Sequence, residues 1–404
     1  MMIEQLKKEY LDRMKEELKD KFDIYINALS QKETHGFVLN LKKLANSSID
    51  LSYLEKLFDA KLLYKNEYFA YLIYDKDVLA SKSITIGKSP LYHAGLYYIQ
   101  EPSAAKVLFD ANIKKDDAVL DLCASPGGKS IEALCYLDKN AGGFLISNEI
   151  DFSRAKVLSS NIERMGFENV VVTNADSKIL SDTFCDYFDK IIVDAPCSGE
   201  GMMRKSEEAR LQWSTNLVKS MAKIQKSLLD EAYTMLKAGG EIIYSTCTFS
   251  KEEDEESVEY VLSNYKDMKL VKMEKLYPFE YLGEGQFYAI FKKDGESNYK
   301  TDLIKKEKLK NINVLRYGVE RYELKSNISI PSHASTHVDG IVFDYSVDLD
   351  DEEIEKYLKG EVIRKNIDIK NTFVKITYKK LGIGLAKYVN GQLKNHYPKG
   401  LRNI

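Results

Sequence analysis

Two cysteines, each placed directly after a strand-like segment, are the residues of this chain best suited to covalent chemistry. Cys197 follows the apolar, β-branched run 191–193, and Cys247 follows a second such run at 242–244. Each run has the composition of a buried parallel strand, so each cysteine is expected at the carboxyl end of a strand. Ligands bind at that edge in open α/β sheets. The sequence therefore predicts that both sulfurs face one crevice, where a thiolate could attack a substrate that reacts poorly by itself.

The segments that position these cysteines alternate between strand and helix from about residue 86 to residue 293. A helix is predicted over 217–236, and the pair Gly239-Gly240 just beyond it is a typical helix stop. This alternation is typical of a parallel sheet covered by helices on both faces, so the fold class is α/β. The apolar segments that we predict as strands are 118–122, 143–147, 169–173, 191–193, 242–244 and 286–291.

Two smaller regions flank the α/β region. Residues 1–85 begin with apolar positions at helical spacing and continue with short strand-like pieces at 36–40 and 68–74. After a charged stretch at 305–310 the pattern changes to short strands and glycine turns. We therefore predict three domains, which cover residues 1–85, 86–293 and 300–404.

Composition and charge restrict the class of protein and the partner. The 404 residues carry a net charge of −3 and five cysteines, an odd number that fits a reducing compartment. The start of the chain lacks an apolar core of signal-peptide length, and no segment is long and apolar enough to span a bilayer, so we expect a cytoplasmic protein. Residues 362–404 hold ten Lys and Arg against one acid, which suggests a polyanionic substrate such as nucleic acid. In contrast, the acidic run 251–256 is predicted as a helix start.

A glycine loop between the first strand and its helix predicts a cofactor site. Gly127 and Gly128 would let the backbone approach a ligand, and the helix that follows would offer N–H groups to a carboxylate. The spacing matches neither a dinucleotide fingerprint nor a P-loop. Glu149 ends the next strand and could accept from ribose hydroxyls, and Asp176 follows the third and could accept from an adenine amine. Such a set fits S-adenosylmethionine.

A methyl donor and two cysteines together suggest methylation of cytosine at carbon 5. That carbon becomes nucleophilic only after a thiolate adds to carbon 6, and a base must later remove the proton from carbon 5. Asp194 could hold the ring at N3, and the segment Asp194-Ala195-Pro196-Cys197 is not the Asn/Asp-Pro-Pro-aromatic motif of amino-group methylation. Chemistry alone would favour Cys197 as the nucleophile, because DNA cytosine methyltransferases carry theirs in a Pro-Cys pair. Cys135 and Cys185 are predicted to be structural.

The motifs at 121–130, 194–199 and 245–250 resemble those of the Nol–Nop–Sun family of RNA (cytosine-5) methyltransferases. The resemblance implies a Rossmann-like class I methyltransferase sheet, parallel with an antiparallel last strand. It also implies the opposite assignment of the cysteines, with Cys247 as the nucleophile and Cys197 assisting proton removal and release. The methyl-donor contacts that it implies fall on Cys123, Ala124, Ser125, Pro126, Gly127, Gly128, Lys129, Glu149, Asp176 and Asp194.

The resemblance extends over nearly the whole chain. The segments 11–15 and 36–40 resemble the family's small α+β RNA-contacting domain, and 97–103 resembles the entry to its catalytic domain. The segments 357–361 and 389–402 resemble the RsmF-type branch, which modifies small-subunit (16S) ribosomal RNA and ends in a β-rich PUA-like domain. Val38 stands where the family usually has an arginine, which puts one phosphate contact in doubt.

Other functions stay open at the level of the sequence. The alternatives are a transfer RNA cytosine-5 methyltransferase, a non-catalytic ribosome-assembly factor and a DNA cytosine methyltransferase, although no DNA-reading domain is identifiable. The expected partner is ribosomal RNA or the small ribosomal subunit, with no membrane. No His/Cys set has metal-ligand spacing, so no metal is expected. We expect a monomer.

Overall fold

The structure is a computed structural model that describes residues 3–301, 304–325 and 328–403. Its α-helices are α1 Lys8–Leu18, α2 Phe22–Leu29, α3 Leu41–Ala45, α4 Leu51–Phe58, α5 Lys76–Ser81, α6 Pro90–His93, α7 Pro102–Phe109, α8 Gly128–Tyr136, α9 Phe152–Met165, α10 Ser177–Thr183, α11 Glu207–Gln212, α12 Thr215–Met235, α13 Glu255–Asn264 and α14 Asp351–Leu358.

Strands alternate with these helices in the central part of the chain and dominate its last third. They are β1 His35–Asn40, β2 Lys61–Lys65, β3 Phe69–Tyr74, β4 Tyr97–Gln100, β5 Ala118–Asp121, β6 Phe144–Asn148, β7 Val170–Asn174, β8 Phe188–Asp194, β9 Leu236–Thr246, β10 Met268–Leu276, β11 Gln286–Lys293, β12 Asn313–Tyr317, β13 Tyr322–Lys325, β14 Ile328–Pro331, β15 Ser346–Asp348, β16 Ile363–Arg364, β17 Thr372–Tyr378, β18 Leu381–Val389 and β19 Gln392–Asn395.

The chain packs into two compact units. The first contains residues 1–36, 100–156 and 171–315, and the second contains 37–99, 157–170 and 316–404. This grouping follows packing and not chain order, so the predicted domain limits at residues 85–86 and 293–300 stay predictions.

An eight-stranded sheet forms the centre of the first unit, with the strand order β10-β11-β9-β8-β5-β6-β7-β12. The pairs β5–β6, β5–β8 and β8–β9 are parallel, whereas β11 runs antiparallel to β9. The chain winds outward from β5 in one direction through β6 and β7, and in the other through β8 and β9. The strand order therefore reverses at β5, and the carboxyl ends of β5 and β8 frame the crevice where such sheets bind ligands.

The sheet has more strands than the sequence predicted. Strand β10 pairs antiparallel with β11 at one edge, and β12 lies at the opposite edge. Both strands lack a continuous apolar run. Lysines recur along β10, at Lys269, Lys272 and Lys275, so its composition resembles that of a solvated segment although its backbone pairs with β11.

The predicted glycine stop after the long helix is wrong. Helix α12 ends at Met235, and β9 begins directly at Leu236, which pairs with Phe188 of β8. The register then shifts before Lys190 pairs with Glu241, so residues 238–240 form a bulge inside the strand. Gly239 takes a φ of +78° there, a conformation that a glycine adopts without strain.

The first two helices belong to the unit that contains this sheet. Tyr10 and Met14 of α1 and Tyr25 of α2 are buried in one apolar cluster with Trp213 and Phe249. The Tyr10 ring meets Trp213 edge-on at a centroid distance of 5.1 Å. Since Phe249 lies two residues beyond Cys247, these helices support the segment that carries that cysteine.

The second unit contains two further sheets and a hairpin. A four-stranded sheet has the order β2-β3-β1-β4, a five-stranded sheet has the order β15-β17-β18-β19-β16, and β13 pairs with β14. One apolar core contains Phe37 and Tyr97 from the first sheet region together with Tyr357, Ile376 and Tyr397. Val38 is 1% exposed in β1, so its side chain belongs to the core and offers nothing to a phosphate. Within the part of the chain that the structure describes, no helix is both long and apolar enough to cross a bilayer.

Asn148 ties together the carboxyl ends of three strands in the first unit. Its Nδ2 donates to the carbonyls of Leu122 (3.2 Å) and Ala175 (3.0 Å), which follow β5 and β7. Its Oδ1 accepts from the Thr173 hydroxyl at 2.9 Å and from the Ala175 N–H at 3.1 Å. Because Asn148 is 1% exposed, no water could replace these bonds without entering the core.

Replacing this side chain should destabilise the fold. Asn148→Ala leaves buried carbonyl and N–H groups without partners, and we expect the free energy of unfolding to fall by about 3 kcal/mol. Denaturant unfolding checks this value. The matched control is Asn140→Ala, because Asn140 is exposed in a surface turn and should change stability by less than about 0.5 kcal/mol. Equal losses in the two variants would contradict the role of Asn148.

Candidate active site

The two cysteines meet at the carboxyl ends of neighbouring strands. Strands β8 and β9 are parallel, and Asp194 pairs with Ser245. The segments that follow both strands turn over the same edge, and the Sγ atoms of Cys197 and Cys247 lie 3.1 Å apart. Both thiols are half-buried. The predicted convergence of the two sulfurs is therefore present, at hydrogen-bond distance.

A buried carboxylate holds the Cys197 loop. Glu253 Oε2 accepts from the backbone N–H of Ser198 at 3.0 Å and from Gln225 Nε2 at 2.8 Å. The same Gln225 nitrogen donates to the Pro196 carbonyl at 2.9 Å. Thus the residues on both sides of Cys197 are bound to one Glu–Gln pair. Burial raises the pKa of Glu253 above its ordinary value.

The helix start predicted at the acidic run 251–256 needs correction. Helix α13 begins only at Glu255, and residues 251–254 form a turn before it. Glu253 and Asp254 are both completely buried, so they are not part of a solvated helix face. The turn directs Glu253 toward Ser198 and Asp254 toward the hydroxyl of Thr246, which donates to it at 2.7 Å.

The Cys247 segment is fixed by backbone contacts. Its carbonyl accepts from the N–H of Gly201 at 2.9 Å. A Cβ at Gly201 would lie 2.6 Å from the Gly285 carbonyl oxygen, so only glycine permits this approach. Glu200, next to it, accepts from the N–H of Phe249 at 3.1 Å and from Trp213 Nε1 at 2.9 Å. Burial raises the pKa of Glu200 to about 7.

The contact between the sulfurs affects the pKa of Cys197. Because Cys197 can donate its S–H to Cys247, and because partial burial disfavours its thiolate, the pKa of Cys197 lies well above its ordinary value. The geometry of the contact allows either sulfur to be the donor. A thiolate is the nucleophilic form of cysteine, so the raised pKa disfavours Cys197 as the attacking sulfur.

Asp194 lies beside the cysteines in an ordered ion pair. Its Oδ2 is 2.9 Å from Lys129 Nζ, and its Oδ1 accepts from the Ser245 hydroxyl at 2.7 Å. The Lys129 side chain is 5% exposed, whereas that of Asp194 is 38% exposed. Burial opposes the charge of Lys129, but the adjacent Asp194 carboxylate prevails and raises the pKa of the ammonium. Asp194 thus presents a fixed carboxylate to the crevice.

The glycine loop after β5 could hold a cofactor carboxylate. Gly127 has a φ of +118° and precedes α8, whose amino end no side chain caps. No side chain caps the N–H groups of the first turn, which are the groups that an anion site at a helix start uses. At the end of β5, Asp121 accepts from the hydroxyl of Ser130 at 2.7 Å, and burial raises its pKa to about 7.

The remaining loop residues are ordered by the next strand and helix. The N–H of Ala124 donates to the Asn148 carbonyl at 2.8 Å. The Ser125 carbonyl accepts from Arg154 at 2.9 Å, and Pro126 is exposed. Burial strongly raises the pKa of the Cys123 thiol, which therefore stays protonated in the loop.

Glu149 and Asp176 occupy different environments at the same sheet edge. Glu149 is 3% exposed, accepts from the Asp151 N–H at 2.9 Å and lies 3.5 Å from Arg154. Asp176 is exposed and caps α10 by accepting from the Lys178 N–H at 2.8 Å. Its second oxygen could accept from a ligand at the rim. The uncapped α8 terminus and these two carboxylates fit the carboxylate, ribose and adenine of S-adenosylmethionine.

The other two thiols lie apart from this chemistry. Burial strongly raises the pKa of Cys135, which lies inside α8, and Cys185 is exposed with Asp186 as its recorded contact. Among the described residues, no three His, Cys, Asp or Glu side chains come together as metal ligands would.

Several residues of the site were not predicted from the sequence. These residues act through contacts between segments that are far apart in the chain, and sequence periodicity does not reveal such contacts. They are Glu200, Gln225, Ser245 and Glu253. The pairing of Lys129 with Asp194 is of the same kind. The one local signal was the position of Ser245 within the motif 245–250.

Three family models match most of the chain. Residues 109–294 match the family described as 16S rRNA methyltransferase RsmB/F. Residues 6–102 match the N-terminal domain of 16S rRNA methyltransferase RsmF, and residues 344–403 match the methyltransferase RsmF PUA domain. The chain belongs to the RsmB/F family. The resemblance inferred from the motifs is confirmed.

Curated relatives of this RsmB/F-family chain carry one name. The ribosomal RNA small subunit methyltransferase F of Aeromonas salmonicida is 38% identical over 204 residues, which cover 49% of this chain and 42% of that protein. The protein of the same name from Vibrio cholerae is 39% identical over 187 residues, covering 46% and 39%. The matched region thus spans about two fifths of the length of these relatives.

Solved structures confirm the fold. A methyltransferase homolog protein from Pyrococcus horikoshii superposes with a TM-score of 0.60 at 23% identity and covers 72% of this chain and 98% of its own. NSun6 from Pyrococcus horikoshii, crystallised with SFG, gives a TM-score of 0.58 at 20% identity, with coverages of 72% and 99%. The expected Rossmann-like methyltransferase sheet with flanking N-terminal and β-rich PUA domains is therefore present.

The sulfur contact predicts a change in the titration of Cys197. In Cys247→Ala the thiol of Cys197 loses its acceptor, so its pKa should fall toward the ordinary value while burial still keeps it raised. The pH dependence of alkylation at Cys197, read by peptide mass spectrometry, checks this shift. Cys185 serves as an internal control because it lies outside the pair. An unchanged Cys197 profile would show that Cys247 does not hold its proton.

Proposed function

We propose that this chain is an S-adenosylmethionine-dependent RNA methyltransferase that methylates carbon 5 of cytosine in small-subunit (16S) ribosomal RNA. The observation that carries the proposal is the 3.1 Å contact of Cys197 and Cys247, placed beside Asp194 at the sheet edge. A nucleophile, a second thiol and a ring-holding carboxylate are the groups that carbon 5 methylation requires.

Cys247 is the proposed nucleophile, and Asp194 holds the ring. The Cys247 sulfur forms a bond to carbon 6 of a cytosine taken out of its stack, which makes carbon 5 electron-rich. As electron density moves into the ring, N3 becomes basic and takes up a proton from water, and Asp194, ordered by Lys129 and Ser245, accepts a hydrogen bond from that N3–H. Bound S-adenosylmethionine would supply the methyl group that carbon 5 takes.

Cys197 then acts as the base. Before attack its proton is held by the hydrogen bond to the Cys247 sulfur. After attack that sulfur is a neutral thioether, which accepts hydrogen bonds weakly and carries no charge, so one cause of the raised pKa of Cys197 disappears. Cys197 can then lose its proton to water and, as a thiolate, remove the one on carbon 5. The bond between carbon 6 and Cys247 breaks, and the thiolate returns.

The donor is proposed to bind over the loop 123–129. The uncapped amino end of α8 supports binding of the amino acid carboxylate, and the positions of Glu149 and Asp176 support contacts with ribose and adenine. Lys129 contributes by fixing Asp194, because its ammonium pairs with that carboxylate.

Ribosomal RNA is the proposed substrate because of the relatives' names and the charge of the last region. The PUA-matched residues 344–403 carry exposed cations at Arg364, Lys370, Lys387 and Lys394. In addition, Phe373 is half-buried beneath Lys387, whose Nζ lies 5.7 Å from its ring. Cations beside an aromatic ring suit phosphates and unstacked bases. We place the enzyme in the cytoplasm, acting as a monomer.

The cysteine roles predict opposite behaviour of two variants. Cys247→Ala should form no covalent complex with RNA and transfer no methyl group. Cys197→Ala should still form the adduct but release it slowly, so RNA-linked protein accumulates. In reactions supplied with the methyl donor, denaturing gels detect the RNA-linked protein and the methylated RNA. Cys185→Ala, an exposed cysteine outside the site, should behave as wild type. The opposite pattern, with an adduct only in Cys247→Ala, would reverse the assignment.

The substrate is tested by mapping 5-methylcytosine in cells with and without the gene. We expect a site in 16S ribosomal RNA to lose its methyl group, and the purified protein to restore it on naked RNA or on assembled subunits. If 5-methylcytosine were lost from transfer RNA alone, transfer RNA would be the substrate in place of ribosomal RNA. If the protein preferred DNA in competition with RNA, DNA would be the substrate. Absence of methylation on every substrate at saturating donor would indicate a non-catalytic assembly factor.

A further inference from the structure

The cysteine pair has a second chemical property that methyl transfer does not use. We propose that Cys197 and Cys247 form a reversible disulfide when the protein meets a hydroperoxide, and that this bond switches the site off. The formation of the bond depends only on the sulfur geometry. Its effect on activity depends on the proposed function, in which Cys247 must be free to attack.

The distance between the sulfurs requires little rearrangement. A disulfide has an S–S length of about 2.05 Å, so the two Sγ atoms, now 3.1 Å apart, must approach by about 1 Å. The cysteines follow adjacent parallel strands, which lie about 4.8 Å apart. Rotation of the two side chains can therefore close the bond.

The contact between the two sulfurs suits stepwise oxidation. Cys247, the nucleophile of the proposed function, attacks the peroxide oxygen as a thiolate. Sulfur is oxidised to a sulfenic acid, Cys247–S–OH, while the O–O bond breaks and the peroxide is reduced to an alcohol or water. Cys197 then attacks the oxidised sulfur, the S–O bond breaks, and hydroxide leaves with the Cys197 proton as water. Two thiols and one hydroperoxide thus give one disulfide, the alcohol or water formed from the peroxide, and one molecule of water from the second step.

The other thiols are poorly placed to compete. Cys123 and Cys135 stay protonated because burial raises their pKa values, and protonated thiols react slowly with peroxides. Cys185 is exposed, but its recorded contact is with a carboxylate and not with a sulfur. In contrast, both members of the pair are half-buried, so a small peroxide or a small thiol can reach them. The Cys197 thiol, already in contact, also protects Cys247 from further oxidation.

The experiment uses the reduced full-length chain exposed to hydrogen peroxide after removal of reductant. We expect the intact mass to fall by two hydrogens and the number of alkylatable thiols to fall by two from the five present. Proteolysis should yield a peptide pair joined through Cys197 and Cys247. Dithiothreitol should restore both thiols and, with them, methyl transfer.

Two variants separate the disulfide from other oxidation. Cys185→Ser should form the bond like wild type, because Cys185 is outside the pair. Cys197→Ser should instead accumulate oxygen on Cys247, and that product should pass to a sulfinic acid that dithiothreitol cannot reduce. Oxygen addition without a disulfide in the wild-type chain would overturn the proposal. Since mass spectrometry reads the bond directly, a disulfide in a chain without methyltransferase activity would leave this inference intact and refute the proposed function alone.

Discussion

Strands β8 and β9 run parallel side by side, and their register sets Asp194 opposite Ser245. Each strand ends within one or two residues of this pair, so the chain can place one reactive group after each end only a few ångströms apart. The two sulfurs, the Asp194 carboxylate and the Ser245 hydroxyl all depend on that register. A slip of one residue would send Asp194 and Ser245 to opposite faces of the sheet.

The site is built on buried acids, which cost stability unless each oxygen is satisfied. Glu253 and Glu200 meet that condition by accepting from backbone N–H groups on the two cysteine segments and from the side chains of Gln225 and Trp213. Their raised pKa values reflect burial. A carboxylate that binds Ser198 and another that binds Phe249 hold the two loops, which carry no regular secondary structure of their own at the cysteines. Burial of these acids lowers the stability of the fold, but their hydrogen bonds fix the separation of the two sulfurs.

Much of this arrangement could be predicted from the sequence. The apolar, β-branched runs predicted β5, β6, β7, β8, β9 and β11, and strand-end position predicted the convergence of Cys197 and Cys247. The prediction from Gly239-Gly240 was wrong because a glycine pair can end a helix or form a β-bulge. Here Leu236 already pairs with Phe188, so the glycines lie within a strand and form a bulge. The acidic turn misled for a similar reason. Burial of Glu253 and Asp254 depends on partners such as Gln225 and Lys275, which are distant in sequence.

The central claim is that Cys247, not Cys197, attacks carbon 6 while Cys197 keeps its proton. RNA containing 5-fluorocytosine tests it most directly in the wild-type chain. Fluorine replaces the hydrogen that the base must remove from carbon 5, so the covalent adduct is trapped. Peptide mass spectrometry of the trapped complex identifies the cysteine bonded to the base. We expect the nucleotide on the peptide that contains Cys247. A nucleotide on the peptide that contains Cys197 would contradict the account.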